Sequence, residues 1–265
     1  MIRRVAAAVL LAPALLATQA RAAGAAQYAA DQLHCARFHE AVRSEVETQS
    51  AGRIRRAIAE REGSWSFRAR DSAGGIALEG WYDSLTLRHG TPDTLAAPDT
   101  DGIIGGRYRG LLDPTGGYRR LAAPFVPDAI AEATDAAAAL DDLFPHLPAA
   151  RLEPGARSSD AAGLEAGRLA DSSAGGATLR RYAVRRRGVA TEAVPRGDTV
   201  PVPLRQTTTD EARIAWDERL GLVRAERETV VEATIPAGGR IRAAVRSRVV
   251  QHATLTRLPS APECP

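Results

Sequence analysis

The strictest constraint on this chain is an alternation of period two near its carboxyl end. From Val223 the odd positions read Val223, Ala225, Arg227, Thr229, Val231, Ala233 and Ile235, while Arg224, Glu226, Glu228 and Glu232 fall on even ones. Successive side chains of a strand point to opposite faces, so the pattern builds one mostly apolar face and one charged face; a helix would scatter both. After Pro236-Ala237-Gly238-Gly239 the odd face resumes as Ile241, Ala243, Val245, Ser247 and Val249, with Arg242, Arg246 and Arg248 on the even face. Registers whose paired numbers sum to an even value keep the two apolar faces together. A five-residue loop then predicts Ile235 opposite Ile241, Val231 opposite Val245 and Glu228 opposite Arg248, giving the arginines acidic partners.

The same period recurs upstream. Phe38, Glu40, Val42, Ser44 and Val46 alternate with more polar neighbours, and Trp65, Phe67, Ile76, Leu78, Trp81, Leu85 and Leu87 mark two further strands over 64–69 and 76–88. The segment 54–61 fits either helix or strand. Further strands are expected over 179–184, 200–208 and 214–216. One helix is predicted over 127–144, opening at Pro127 and Asp128, carrying Ile130, Ala133, Ala137, Leu140 and Phe144 on one stripe, and stopped by Pro145 and Pro148. Residues 149–176, rich in Gly, Ala and Ser, read as loop. The expected fold is mainly β (α+β): a curved antiparallel sheet or half-barrel with one principal helix packed on its concave face.

The amino terminus sets the compartment. Arg3 and Arg4 precede an apolar run from Val5 to Ala17, too short to span a bilayer, and Ala20-Arg21-Ala22 is a cleavage pattern. The chain is expected to be exported to the periplasm or beyond, with residues 1–22 as signal peptide and 23–265 as a single mainly-β domain. The net charge of +3 comes from 35 basic and 32 acidic residues, and three arginines and no acid lie in the leader. The remainder is neutral, so the overall basicity gives no reason to expect nucleic acid. No transmembrane segment is expected in the mature chain.

Every basic residue is arginine, as in proteins of GC-rich genomes. Without lysine there is no Schiff base, no covalently held pyridoxal phosphate and no phosphate loop of the Walker type. The cysteines, Cys35 and Cys264, lie 229 positions apart and are expected to form a disulfide in an oxidising compartment. A metal site from His34, Cys35, His39, His252 and Cys264 is the sharper alternative, but no paired ligand spacing supports it. Asp99-Thr100-Asp101-Gly102 opens like a calcium loop and lacks its later carboxylates. His39-Glu40 opens like a zinc-protease helix, but Arg43 stands where the second histidine belongs. No nucleophile elbow is found. His89, His146 and His252 remain as candidates for proton transfer, each beside a turn, a proline or an arginine-rich face. Arg180, Arg181, Arg185, Arg186 and Arg187 around Tyr182 form the one strong basic cluster, a candidate anion site, although a strand would divide it between two faces.

Asp101-Gly102-Ile103-Ile104-Gly105-Gly106-Arg107-Tyr108-Arg109-Gly110, with Pro124-Phe125-Val126-Pro127 and Phe144-Pro145-His146-Leu147-Pro148, resembles uncharacterised exported proteins of GC-rich bacteria that have a fold like that of periplasmic lipoprotein carriers. The resemblance implies a half-barrel with a helix plugging its concave face and an apolar groove, and it carries over no catalytic residue. The sequence thus points to a non-catalytic β-rich protein, without cofactor or metal, that binds an apolar or amphipathic ligand such as a lipid, or a partner at the cell envelope. The expected groove is lined by Ile130, Ala137, Leu140, Val231 and Val245, where small side chains facing a curved sheet leave space. A hydrolase with a spatially assembled His and carboxylate site, and a structural envelope protein, are the rival classes.

Overall fold

A computed structural model describes residues 24–131, 134–196, 199–237 and 242–260. Twelve strands form one antiparallel sheet. They are β1 (Arg37–Ser50), β2 (Arg53–Ser72), β3 (Gly75–Thr91), β4 (Thr94–Ala96), β5 (Tyr108–Leu112), β6 (Tyr118–Ala122), β7 (Arg157–Ser159), β8 (Leu164–Ala174), β9 (Ala177–Arg196), β10 (Thr199–Asp217), β11 (Gly221–Ile235) and β12 (Val245–Leu258). Their spatial order is β6-β5-β3-β2-β1-β12-β11-β10-β9-β8-β7, with β4 paired to β3. The sheet curves but does not close, because β6 and β7 remain its two edges. The chain ends meet in its middle, where β1 pairs with β12 along its whole length.

Tight turns keep neighbours in register. Between β1 and β2 the two linking residues, Ala51 and Gly52, have φ of 49° and 76°; between β8 and β9 Gly175 and Gly176 have 58° and 81°. Two successive left-handed residues twist a two-residue hairpin the way its strands twist. Between Ser64 and Trp65 the β2–β3 register shifts, leaving Asp83 extra on β3. That bulge reverses the parity of β3, so that Leu85 and Leu87 above it and Leu78 and Tyr82 below it all face the core.

The expected hairpin exists in a different register. Val231 lies opposite Val249, Ile235 opposite Val245, Glu232 opposite Arg248 and Glu228 opposite His252. Ile241 lies outside the described residues. The slip is even, so the two apolar faces still coincide. Its cause is that β12 must match two neighbours: Arg248 sits between Glu232 of β11 and Glu47 of β1, and Val249 between Val231 and Val46.

Two expectations about the middle of the chain are corrected. Residues 149–176 are not all loop, for β7 and β8 lie within them, and β8 buries Leu164, Ala166 and Arg168 on alternate positions. The continuous helix over 127–144 is replaced by one helical turn, α2 (Asp128–Ala131), a 3₁₀ turn (Ala136–Ala138) and irregular chain. Tertiary donors take over carbonyls that a helix would use internally: the Tyr108 hydroxyl donates to Ala136 O at 2.9 Å, Arg120 Nη1 to Ala137 O at 3.0 Å, and Arg227 Nη1 to Asp142 O. Alanines let this backbone come close enough to the sheet for such contacts; Ala136 is fully buried.

Residues 134–148 thus form a strap within one apolar cluster that runs from β5 to β8. Phe144 ties the halves of the sheet together. Its ring lies 5.5 Å from Phe67, 6.1 Å from Phe38 and 5.4 Å from Tyr28, and Tyr28 in turn lies 5.3 Å from Trp216 of β10. The face bearing Phe38, Trp65, Leu255, Ala225, Ile214 and Tyr182 is therefore the one that the strap covers.

Candidate functional site: a layered groove on the covered face

Register and burial order the covered face in layers rising from the core. The deepest is apolar except for Glu40, which lies opposite Leu255 and is 3% exposed. Its carboxylate takes four donors: Arg61 Nη2 at 2.7 Å and Nε at 3.2 Å, Trp65 Nε1 at 3.0 Å and the Tyr82 hydroxyl at 2.9 Å. A buried carboxylate satisfied on this scale is held in place. Burial, reinforced by Glu40, raises the Tyr82 hydroxyl well above its usual range, and burial pushes Tyr108 up to about 12. Both phenols stay protonated as donors.

The next layer reads Ala166, Val184, Ala212, Arg227, Ala253, Val42 and Arg61 across β8 to β2. Arg227 forks onto Asp210, with Nη2 donating to Oδ2 at 2.9 Å and Nε donating to Oδ1 at 2.5 Å. Thr229 donates to the same carboxylate at 3.2 Å. Burial opposes the charge on Arg227, but the bonds to Asp210 outweigh it and its pKa rises. Both cations on this floor, Arg61 and Arg227, are thus committed to carboxylates.

Above the polar rung of Asp210, Thr229, Gln251 and Ser44 comes a half-buried band, with Val231, Val249 and Val46 side by side, Thr208 beyond Val231 and the exposed Ala57 beyond Val46. A cavity of about 330 Å³ opens between this sheet surface and the strap. Its apolar walls include Val42, Val46, Val249, Ala138 and Ala139; Arg61, Arg227 and Asp142 stand at its polar side. The space can take an apolar chain against the valines with a polar group beside the ion pairs.

The residues expected to line a groove are separated. Ile130 and Leu140 are each 1% exposed in the core. Ala137 is half-buried with its carbonyl bound by Arg120, while Val231 and Val245 are half-buried on the same sheet face as Arg227, Val245 near its far end. The cavity beside the strap is walled instead by the alanines that follow Ala137 and by valines of β1 and β12. Sequence reasoning missed Glu40, Arg61, Arg227 and Asp210. The signal was present: Glu40 and Arg227 each interrupt an otherwise inward-facing register, which is how a buried ion pair announces itself.

The basic cluster is divided. Arg180 donates to Gly24 O at 2.7 Å and pairs with Glu218, Arg185 pairs with Glu211 at 3.2 Å, and Arg186 Nη1 meets His146 Nε2 at 2.8 Å. Arg181, Arg185 and Arg187 take the opposite face from Arg180 and Arg186. That outer face carries a wider depression of about 1190 Å³. One of its rungs runs Glu165, Arg185, Glu211, Glu228, His252, Arg43, Glu60 and Arg88 across eight strands. Its charges mostly neutralise their neighbours, as in the 2.6 Å pair of Arg43 and Glu60. His39 and His252 stand on this face, 3.5 Å from Glu62 and 3.6 Å from Glu228. Among the described residues no three metal-ligating side chains converge.

Among the described residues no cysteine is free, and Cys35 holds a left-handed φ of 60° just before β1. Cys264 and the leader over 1–22 lie outside the described residues. No described helix is long and apolar enough to cross a membrane. No family model matches the chain, nor does any curated protein. Among solved structures a DUF1329 family protein from Desulfovibrio piger is similar, at 11% identity over 86% of this chain and 88% of that one, with a TM-score of 0.20.

Proposed function

We propose that this chain is an exported, non-catalytic binding protein whose concave face holds an apolar or amphipathic ligand between the strap and the valine band. One observation carries the reading: aliphatic side chains of β1, β12 and the strap line about half of the cavity wall, and the buried charges Glu40, Arg61 and Arg227 beside them are paired. The aliphatic half suits an alkyl chain, and the polar half, with Ser44, Thr134 and Gln251, suits its polar end. The cations are engaged with carboxylates, so polar recognition there depends on neutral hydrogen bonding more than on capture of a strong anion. Cleavage after Ala22 and a Cys35 to Cys264 disulfide complete the account: the mature chain of residues 23–265 works as one domain in an oxidising compartment, alone or beside an envelope partner.

Native mass spectrometry of the protein purified from its own cells, without detergent exchange, tests this reading. A retained mass that disappears on organic extraction and is absent from Ala138→Trp protein is the expected result. A clean apo mass, together with failure to take up any alkyl probe, would count against the groove.

A further inference from the structure

We propose that the strap is a proton-operated latch, in which neutral His146 ties it to Arg186 of β9 and protonation of His146 frees that end and opens the concave groove. The inference rests on the groove being the binding site, and it names how that site is regulated.

The contact itself fixes the protonation state. A guanidinium has donors and no acceptor, so a ring nitrogen 2.8 Å from Arg186 Nη1 must offer its lone pair, which places the imidazole proton on Nδ1. An imidazolium has no lone pair to offer. A proton taken from solvent onto Nε2 therefore turns an acceptor into a second cation facing the first. The other charged groups facing this ring are Arg227 of β11, Asp210 of β10 and Asp113 in the β5–β6 turn. Both carboxylates draw the proton on, but by less than burial and the two arginines oppose it, and each is held in its own hydrogen bonds. Asp210 is held by Arg227 and Thr229, and Asp113 Oδ1 takes Thr115 N at 2.7 Å, the Thr115 hydroxyl at 2.7 Å and Gly117 N at 3.0 Å. Burial first, and then Arg186, hold the imidazole below the usual histidine range.

The ring sits where the strap is anchored. On one side the Tyr28 hydroxyl donates to Pro145 O at 3.0 Å; on the other Leu147 N donates to Thr115 O at 2.7 Å. Gly116, at φ +100°, brings its turn so close that a Cβ there would lie 2.5 Å from Pro145 O. Displacing His146 pulls on all three contacts, and through Asp142 on Arg227 at the cavity wall.

Hydrogen–deuterium exchange of the 140–148 peptide in the mature full-length protein tests the latch, comparing about pH 7.5 with about pH 5.0 after correction for intrinsic exchange. The parent should exchange several-fold faster at the lower pH, because an imidazole whose pKa is lowered in the closed state takes up its proton more readily once the strap is open. His146→Gln keeps an acceptor for Arg186 but cannot titrate, so its corrected exchange should not respond to pH. Should that variant fold poorly, Arg186→Gln serves instead: its His146 should titrate at higher pH by imidazole NMR, with the exchange response lost. A parent whose exchange ignores pH, or a His146→Gln protein that responds as the parent does, overturns the latch. N-phenyl-1-naphthylamine fluorescence is read in parallel. Release at low pH from the parent and retention by His146→Gln support the coupling; retention by the parent despite faster exchange refutes it. A probe that binds at neither pH strikes the groove reading, and exchange alone then decides the latch.

Discussion

At the scale of single residues, the chain bends two ordinary preferences. Ala51 occupies the left-handed region in the β1–β2 turn, where a Cβ meets the backbone and Gly or Asn is the usual occupant. Ala51→Gly is therefore expected to stabilise the fold by about 1 kcal/mol, seen as a higher urea midpoint at unchanged slope. Glu40 puts a charge on the inward face of β1. Glu40→Gln leaves Arg61 without its counter-charge in a site where its side chain is only 13% exposed, and should cost about 3–5 kcal/mol. A loss below about 1 kcal/mol would mean that Arg61 finds water instead. Glu40 could be seen in the sequence as a charge among the apolar positions of its strand, whereas nothing there marked Ala51 as left-handed. The consequence of Glu40 was hidden too, since its donors come from two other strands at separations of 21 to 42 residues.

At the scale of elements, legibility follows how local the determinants are. The alternating strands were read because period two is written in adjacent residues; their lengths were underestimated, since β2 and β9 run to 20 residues each across stretches with Gly or dense charge. The facing of β11 and β12 was read, and their register was not, because β1 lies hundreds of positions away and sets it jointly. The helix over 127–144 failed for a similar reason: alanine favours helix intrinsically, but Tyr108, Arg120 and Arg227 bind its carbonyls from three strands. The groove residues inherited that error, as a helical stripe selected Ile130, Ala137 and Leu140 where the irregular strap presents Ala138 and Ala139. The strap depends on its aromatic anchor. Phe144→Ala should cost about 3–5 kcal/mol by equilibrium unfolding, and a cost below about 1 kcal/mol would show that the strap is dispensable to the core.

At the scale of the whole molecule, an open sheet with two free edges relies on its strap and on the pairing of its first and last long strands. A Cys35 to Cys264 bridge would close that seam covalently beside β1. The mature protein is expected to show no free thiol in denaturant and two after reduction, and serine at both positions should lower stability by about 2–5 kcal/mol. Two thiols before reduction would contradict the pairing. The functional claim rests on the space between the strap and the valines, and filling that space tests it most directly. N-phenyl-1-naphthylamine should bind the parent saturably and at one site. Ala138→Trp, whose indole occupies the cavity, should lose that binding at least tenfold while unfolding at a denaturant midpoint close to the parent's. Undiminished binding by a stable Ala138→Trp protein would contradict the account, because the ligand would then sit elsewhere.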